Sequence, residues 1–142
     1  MITVEEVAYG SAGFLEACEI RRTVFVEEQG VHPDNEFDSL EPTAVHLLAR
    51  LAGRAAGVAR CYGDAGVARI GRVAVLPAHR RHGVGRALML HAFNVLRQRN
   101  VTQVLVHSQT QATKFYGNLG FISEGAEFEE EGIPHVAMTL QL

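Results

Sequence analysis

Between Val73 and Arg86 the chain reads VAVLPAHRRHGVGR. Arg80, Arg81, His82 and Arg86 crowd around Gly83 and Gly85, and a helical pattern of apolar residues follows. A helix N-terminus leaves backbone N–H groups unpaired and carries partial positive charge. Glycines let a phosphate approach those groups, and arginines add charge and forked donors. Residues of these types at this spacing can hold a pyrophosphate. Two familiar phosphate signatures are absent. No Lys-Ser or Lys-Thr completes a P-loop, and no third glycine follows Gly83-Val84-Gly85 to make a dinucleotide fingerprint. No G-x-S-x-G nucleophile elbow is present, and the histidines show no metal-ligand spacing.

The elements that must position this stretch can be read from pattern. Ile2–Val7 alternates as a strand, and Gly13–Glu28 carries apolar residues at helical spacing. Gly30–Pro42 reads as loop. Ala44–Leu51, Ala55–Tyr62 and Val67–Leu76 read as an antiparallel meander, with turns at Gly53 and at Gly63–Gly66. Pro77 ends the third run. Gly83–Arg99 is the clearest helix, with Val84, Leu88, Ala92, Val95 and Leu96 on one side. Val101–His107 reads as a strand, Thr110–Leu119 as a short helix ended by Gly120, and Phe121–Phe128 and Pro134–Leu142 as strands around a turn at Glu129–Gly132. A strand–helix–strand passage from Val73 to His107 requires a right-handed crossover and local parallel pairing. The expectation is a single α/β (α+β) domain over residues 1–142, a mixed and mostly antiparallel sheet with helices on both faces.

Composition agrees with one folded domain. The chain has 142 residues, of which 47% are hydrophobic and 20% charged, enough for a sizeable core. Its net charge of -3 hides an asymmetry: residues 50–99 hold ten arginines and one acid, Asp64, while acids dominate the rest. A basic middle with acidic flanks suits an anionic ligand meeting a cationic one. It argues against nucleic acid, whose binders are basic overall. No run reaches transmembrane length, the N-terminus lacks a signal-peptide pattern, and Cys18 and Cys61 suggest no disulfide framework. A cytoplasmic setting without membrane partners is the expectation.

Arg80-x-x-Gly83-x-Gly85, preceded by Val73-Ala74-Val75, resembles the acetyl-CoA signature of the GNAT superfamily of N-acetyltransferases. Phe115-Tyr116-x-x-Leu119-Gly120-Phe121 is similar to that superfamily's second motif. Val24–Gln29, the Glu36-Phe37-Asp38 loop, Ala112 and Gly132-Ile133-Pro134-His135 are similar to its YjcF-like and ElaA-like branch.

The resemblance implies a sheet splayed between its fourth and fifth strands, here between Val73–Leu76 and Val104–His107. The pantetheine arm of acetyl-CoA, the acyl donor, would lie in that gap as a pseudo-strand. By carry-over, the backbones of Val73 and Val75 would bond pantetheine amides. The N–H groups of Arg81, His82, Gly83, Val84, Gly85 and Arg86 would bind pyrophosphate, and Arg80 or Arg81 would reach a phosphate. Gln109 stands at a pantetheine-contacting position, and Phe115 packs on the arm or in the core. A backbone N–H near Ala74 would polarise the thioester carbonyl. Tyr116 would give a proton to the leaving thiolate.

An amine must lose a proton before it attacks. The strand VARIGRVAV carries no carboxylate to take it, so Glu28, His135 and His107 are the candidate bases. The resemblance implies direct acetyl transfer to a small-molecule or peptide amine, with no metal. A non-catalytic acyl-CoA sensor is the alternative. Pairing of two copies is expected by analogy alone.

Overall fold

A computed structural model describes residues 1–63 and 65–142. Asp64, the lone acid of the basic segment, and the centre of the turn at Gly63–Gly66 lie outside the described residues. One sheet runs through the molecule in the order β1-β2-β3-β4-β5-β7-β6. Its strands are β1 Ile2–Val7, β2 Val45–Leu51, β3 Arg54–Tyr62, β4 Gly66–Val75, β5 Val101–Gln109, β6 Ile122–Glu130 and β7 Ile133–Gln141. Every neighbouring pair is antiparallel except β4–β5.

Helices cover both faces. The helix α3, Val84–Gln98, buries Val84, Leu88, Met89, Ala92, Phe93 and Leu96 along one stripe. They pack with Val45, Leu47 and Ala49 of β2. Helix α1, Ala12–Arg21, takes the opposite face, packing Phe14, Ala17 and Ile20 with Leu48, Val58 and Ala74. The alternation of Leu47 and Leu48 between two cores follows from the two-residue period of a strand. Each such side chain adds roughly 1.5–3 kcal/mol when buried.

Three elements differ from the sequence pattern. The expected helix Gly13–Glu28 is α1 followed by a π-helical segment, Arg22–Glu28, in which the Gln29 N–H donates to the Val24 carbonyl at 3.1 Å. Its run Thr23-Val24-Phe25-Val26 crowds a regular α-turn, so the looser winding replaces it. The expected loop Gly30–Pro42 contains a four-residue helix, α2 Pro33–Glu36, started by Pro33 with His32 accepting from the Asp34 N–H at 3.1 Å. The last hairpin turn is shorter than Glu129–Gly132. Only Glu131 and Gly132 turn, at φ +54° and +71°. Two successive left-handed residues match the right-handed twist of the flanking strands.

The sheet is open in its middle. β4 pairs with β5 only from Gly66↔Val101 to Arg69↔Leu105. Beyond these residues β5 pairs with β7 alone, and Ile70–Val75 pair with β3 alone. The gap therefore starts at Ile70 on one side and Val106 on the other. Val104 and Leu105, expected to line it, are zipped to β4. A bulge opens the gap: Ala59 of β3 faces both Arg72 and Val73, and Arg72 sits at φ +52°. Bulges bend a strand and sharpen its twist, which carries β4 away from β5.

Candidate active site

The gap is the mouth of a cleft of about 740 Å³, walled by β4, the end of β5, the π-helical segment and α4, Thr113–Asn118. A second groove of about 320 Å³ continues from it around the start of α3, sharing Val75, Arg80, Gly85 and Phe115.

The groove is made by local backbone chemistry. Gly83, the N-cap of α3, lies at φ +84°, and Arg81 at +66°. The first backbone bond of the helix runs from the Ala87 N–H to the Gly83 carbonyl. Among the described residues, the N–H groups from Arg81 to Arg86 have no recorded backbone partner. Gly85 presses against Phe115: a Cβ there would lie 3.2 Å from the ring. Glycine thus lets the aromatic wall close on the helix end. The groove takes in Arg81, Gly83, Val84, Gly85 and Arg86, whereas His82 is exposed and lines neither cavity. An anion seated here would meet bare amides and a positive helix end. The residues present fit a diphosphate.

The gap side of β4 is also readable. The Leu76 N–H donates to the Ala56 carbonyl across the β3 ladder at 2.9 Å. Backbone groups alternate along a strand, so Ala74 turns its backbone to Val58 and Val75 turns away from β3. The Val75 carbonyl accepts from Arg80 Nε at 2.9 Å. Val73 stands beside the bulge. Ala74 turns its own N–H to β3, so the gap-side N–H near Ala74 is that of Val75.

Tyr116 and Phe115 come from α4. The Tyr116 ring packs edge-on against Phe115 and Phe121, with centroids 5.0 and 5.6 Å away. The residue is 8% exposed, and no hydrogen-bond partner is recorded for its hydroxyl among the described residues. Burial pushes the phenol up to about 12. It therefore stays protonated at neutral pH.

The candidate bases lie in the same cleft in different circumstances. Glu28 is held by Arg80 in a forked pair at 2.7 and 2.9 Å, and those hydrogen bonds lower its pKa. Arg80 is thereby engaged with Glu28 and the Val75 carbonyl. His135 Nδ1 donates to the Ile133 carbonyl at 2.7 Å, and its Nε2 faces Glu130 Oε2 at 3.9 Å. His107 Nδ1 lies 2.9 Å from Glu130 Oε1 and 2.9 Å from Arg69 Nη2. Phe128 holds both rings, stacked on His135 and edge-on to His107. Gln109 bonds Gln29 across the cleft at 2.8 Å.

The sequence assigned no individual role to Arg69, Glu130 or Gln29. Glu130 was hidden in a presumed turn, and Arg69 in a strand searched only for carboxylates. It also left out a buried ionic network beneath the π-helical segment. Arg21 bonds Glu36 and Glu41, each at 2.8 Å, and Arg60 bonds Asp38 and Glu41 at 2.8 and 2.9 Å. Arg72 reaches Glu36 at 3.1 Å. The acids of the loop after Glu27 are thus largely engaged by arginines of their own chain.

The model of the acetyltransferase (GNAT) domain matches residues 9–142. The chain is 32% identical over 120 residues to the uncharacterized N-acetyltransferase YjcF of Bacillus subtilis, covering 84% of this chain and 86% of that one. Among solved structures, Escherichia coli ElaA superposes with a TM-score of 0.84 at 29% identity, covering 98% of this chain and 99% of that one. An acyl-CoA N-acyltransferase from Pseudomonas aeruginosa superposes with a TM-score of 0.79 at 30% identity, covering 98% and 97%. No helix among the described residues is long and apolar enough to cross a membrane.

Proposed function

The chain belongs to the GNAT acetyltransferase family, and from that premise we propose that it transfers an acetyl group from acetyl-CoA directly to a primary amine. The observation that carries this reading is the course of β4. It leaves β5 after Arg69 and runs as a one-sided edge towards the bare amides at the start of α3. An extended pantetheine arm fits such an edge, and its diphosphate fits the amides.

The groove from Arg81 to Arg86 anchors the donor. Val75 and the strand beside the bulge offer it backbone hydrogen bonds, and Phe115 walls it. Gln109, tied to Gln29, flanks the arm from β5. Tyr116 donates a hydrogen bond to sulfur as negative charge grows there. With the phenol at about 12 and a thiol near 8.5, full proton transfer to a free thiolate would run uphill by about 5 kcal/mol. Its role is stabilisation of the departing sulfur rather than simple protonation.

The amine nitrogen attacks the thioester carbonyl, the new C–N bond forms, and the C–S bond breaks. The proton released from nitrogen goes to His135 Nε2, directly or through one water, with Glu130 beside the resulting imidazolium. The thiolate leaves as CoA and takes up a proton. Glu28, held by Arg80, is the weaker base.

Isothermal calorimetry with CoA tests the donor site, and thiol release from acetyl-CoA over an amine panel tests the transfer. Absence of CoA binding at millimolar concentration overturns the proposal. Binding without turnover of any amine leaves an acyl-CoA sensor.

A further inference from the structure

Four arginines line the cleft: Arg60, Arg69, Arg72 and Arg80. Three of them have carboxylate partners. Arg60 has Asp38 and Glu41, Arg72 has Glu36 and Asp38, and Arg80 has Glu28, with contacts from 2.7 to 3.4 Å. Arg69 has none within 4.0 Å among the described residues. Its one recorded side-chain partner is His107 Nδ1.

That contact cannot be satisfied as it stands. Glu130 Oε1 lies 2.9 Å from the same nitrogen. If Nδ1 carries a proton, it donates to Glu130, and the Arg69 N–H then points at another N–H. If Nδ1 is bare, it accepts from Arg69, and the Glu130 oxygen faces a lone pair. An imidazole nitrogen is either donor or acceptor, never both. One of the two charged neighbours is always short of a partner. Glu130 is exposed and water can serve its oxygen, so the shortfall falls on the half-buried Arg69, and a ligand anion there would remove the conflict. His107 could then give its Nδ1 proton to Glu130.

We propose that Arg69 binds the carboxylate of the acceptor and that the acceptor is a free amino acid. This rests on the transferase reading above and names its substrate class. The amine would lie towards Glu130 and His135, where the proton acceptor stands. Arg69 Nη2 and Glu130 Oε1 both touch one nitrogen, so cation and anion are separated by the length of a short amino acid and no more. A guanidinium matches a carboxylate with two parallel hydrogen bonds. The position of Arg69 is fixed by the fold: it is the last β4 residue paired to β5, opposite Leu105, with His107 two residues farther along the same face.

The test uses matched acceptors with acetyl-CoA: each amino acid, its carboxamide and its decarboxylated amine, followed by thiol release. The expected result is a kcat/KM at least about tenfold higher for the acid than for either analogue, the effect of losing one hydrogen bond to a charged group. In Arg69→Met the acid-to-amine ratio should fall to within about threefold of unity, and Arg69→Lys should keep part of it, since lysine retains the charge but not the fork. CoA affinity by calorimetry and the melting temperature identify a variant that has simply lost its fold. Equal rates for acid and carboxamide overturn the proposal, as does an Arg69→Met variant that keeps the acid preference. If no acceptor reacts, the product is titrated instead: an N-acetyl amino acid against the CoA-loaded protein. Binding that Arg69→Met abolishes keeps the carboxylate site while the transferase reading falls. No binding overturns the site as well.

Discussion

Replacing Tyr116 by phenylalanine removes one oxygen from a place where the protein does not use it. The ring packs against Phe115 and Phe121, contacts that phenylalanine keeps. No recorded protein hydrogen bond is lost among the described residues, so the variant should fold with a stability within about 1 kcal/mol of the parent. Catalysis is a different matter. A single donor aimed at developing negative charge in a closed site is worth about 3–4 kcal/mol, or about 10²–10³ in kcat. The expected outcome for Tyr116→Phe is a loss of that size in kcat, with CoA affinity changed by less than about threefold. The pH profile gives a second reading. Because burial holds the phenol at about 12, no limb of the rate profile below pH ~10 belongs to Tyr116, and the variant should keep the parent's profile at a lower height. Thiol release by stopped flow measures the rate, and calorimetry measures the CoA affinity. A kcat within about threefold of the parent removes Tyr116 from the mechanism. A melting temperature lower by many degrees would mean that the hydroxyl serves the fold.

Gly83→Ala tests the diphosphate groove: space is open, since the new Cβ would meet only Ile2 at 3.9 Å, but φ +84° strains alanine by about 1–2 kcal/mol. CoA affinity by calorimetry should drop at least about tenfold, and unchanged affinity would place the phosphates elsewhere. Of the candidate bases, Glu28→Gln should change kcat by less than about threefold and His135→Gln should lower it about 10²-fold; the reverse order would move the base to Glu28. Acid sensitivity should come from Glu41: burial opposes its charge, but the hydrogen bonds and charge of Arg21 prevail and lower its pKa from 4.5 to about 2. A carboxylate depressed by folding stabilises above its unfolded pKa, and that stability drains away as pH falls from 4.5 to 2, on the order of 3 kcal/mol from this group. Glu36, pushed the other way by burial, offsets part of it. Urea unfolding across that range should show a steeper fall for the parent than for Glu41→Gln.

The sequence carried the sheet order's local parts well, because they depend on periods of two and 3.6 residues that survive in any context. The strand at Ile2–Val7 and the α3 stripe from Val84 to Leu96 are such cases. The glycine turn that opens α3 was also legible, since glycine at φ +84° and a crowded arginine turn are local facts. The bulge was not. Nothing in VARIGRVAV marks Arg72 as the extra residue, because its positive φ is held by contacts with Glu36, distant in sequence. The place where the gap begins was missed for the same reason, and so was the direction of the Ala74 backbone. Arg69, Glu130 and His107 meet only through the pairing of β4, β5, β7 and β6, which no local pattern encodes.

The bulge also explains why a buried ionic network lies so near the cleft. Before it, Ala68 and Ile70 point into the α3 core, which leaves Arg69 on the face of His107. After it, Ala74 points into the α1 core, and Val75 approaches Gly85 on the α3 side. One extra residue thus reverses the parity of the strand, so that its first half turns Arg69 towards His107 and its second half turns Val75 towards the start of α3. The reversal requires Arg72 to hold φ +52°, a strain of about 1–2 kcal/mol for a residue with a side chain. Glycine would adopt that angle freely, yet glycine could not be anchored. Arg72 reaches the Glu36 carbonyl with Nε at 3.2 Å and the Glu36 carboxylate at 3.1 Å. Glu36 is in turn fixed by Arg21 through both its carboxylate and its carbonyl, at 2.8 Å each. The short helix α2, the network and the bulge therefore form one device. It resists the closing of β4 onto β5, a zipper that would otherwise gain about one ladder hydrogen bond per residue pair and abolish the cleft.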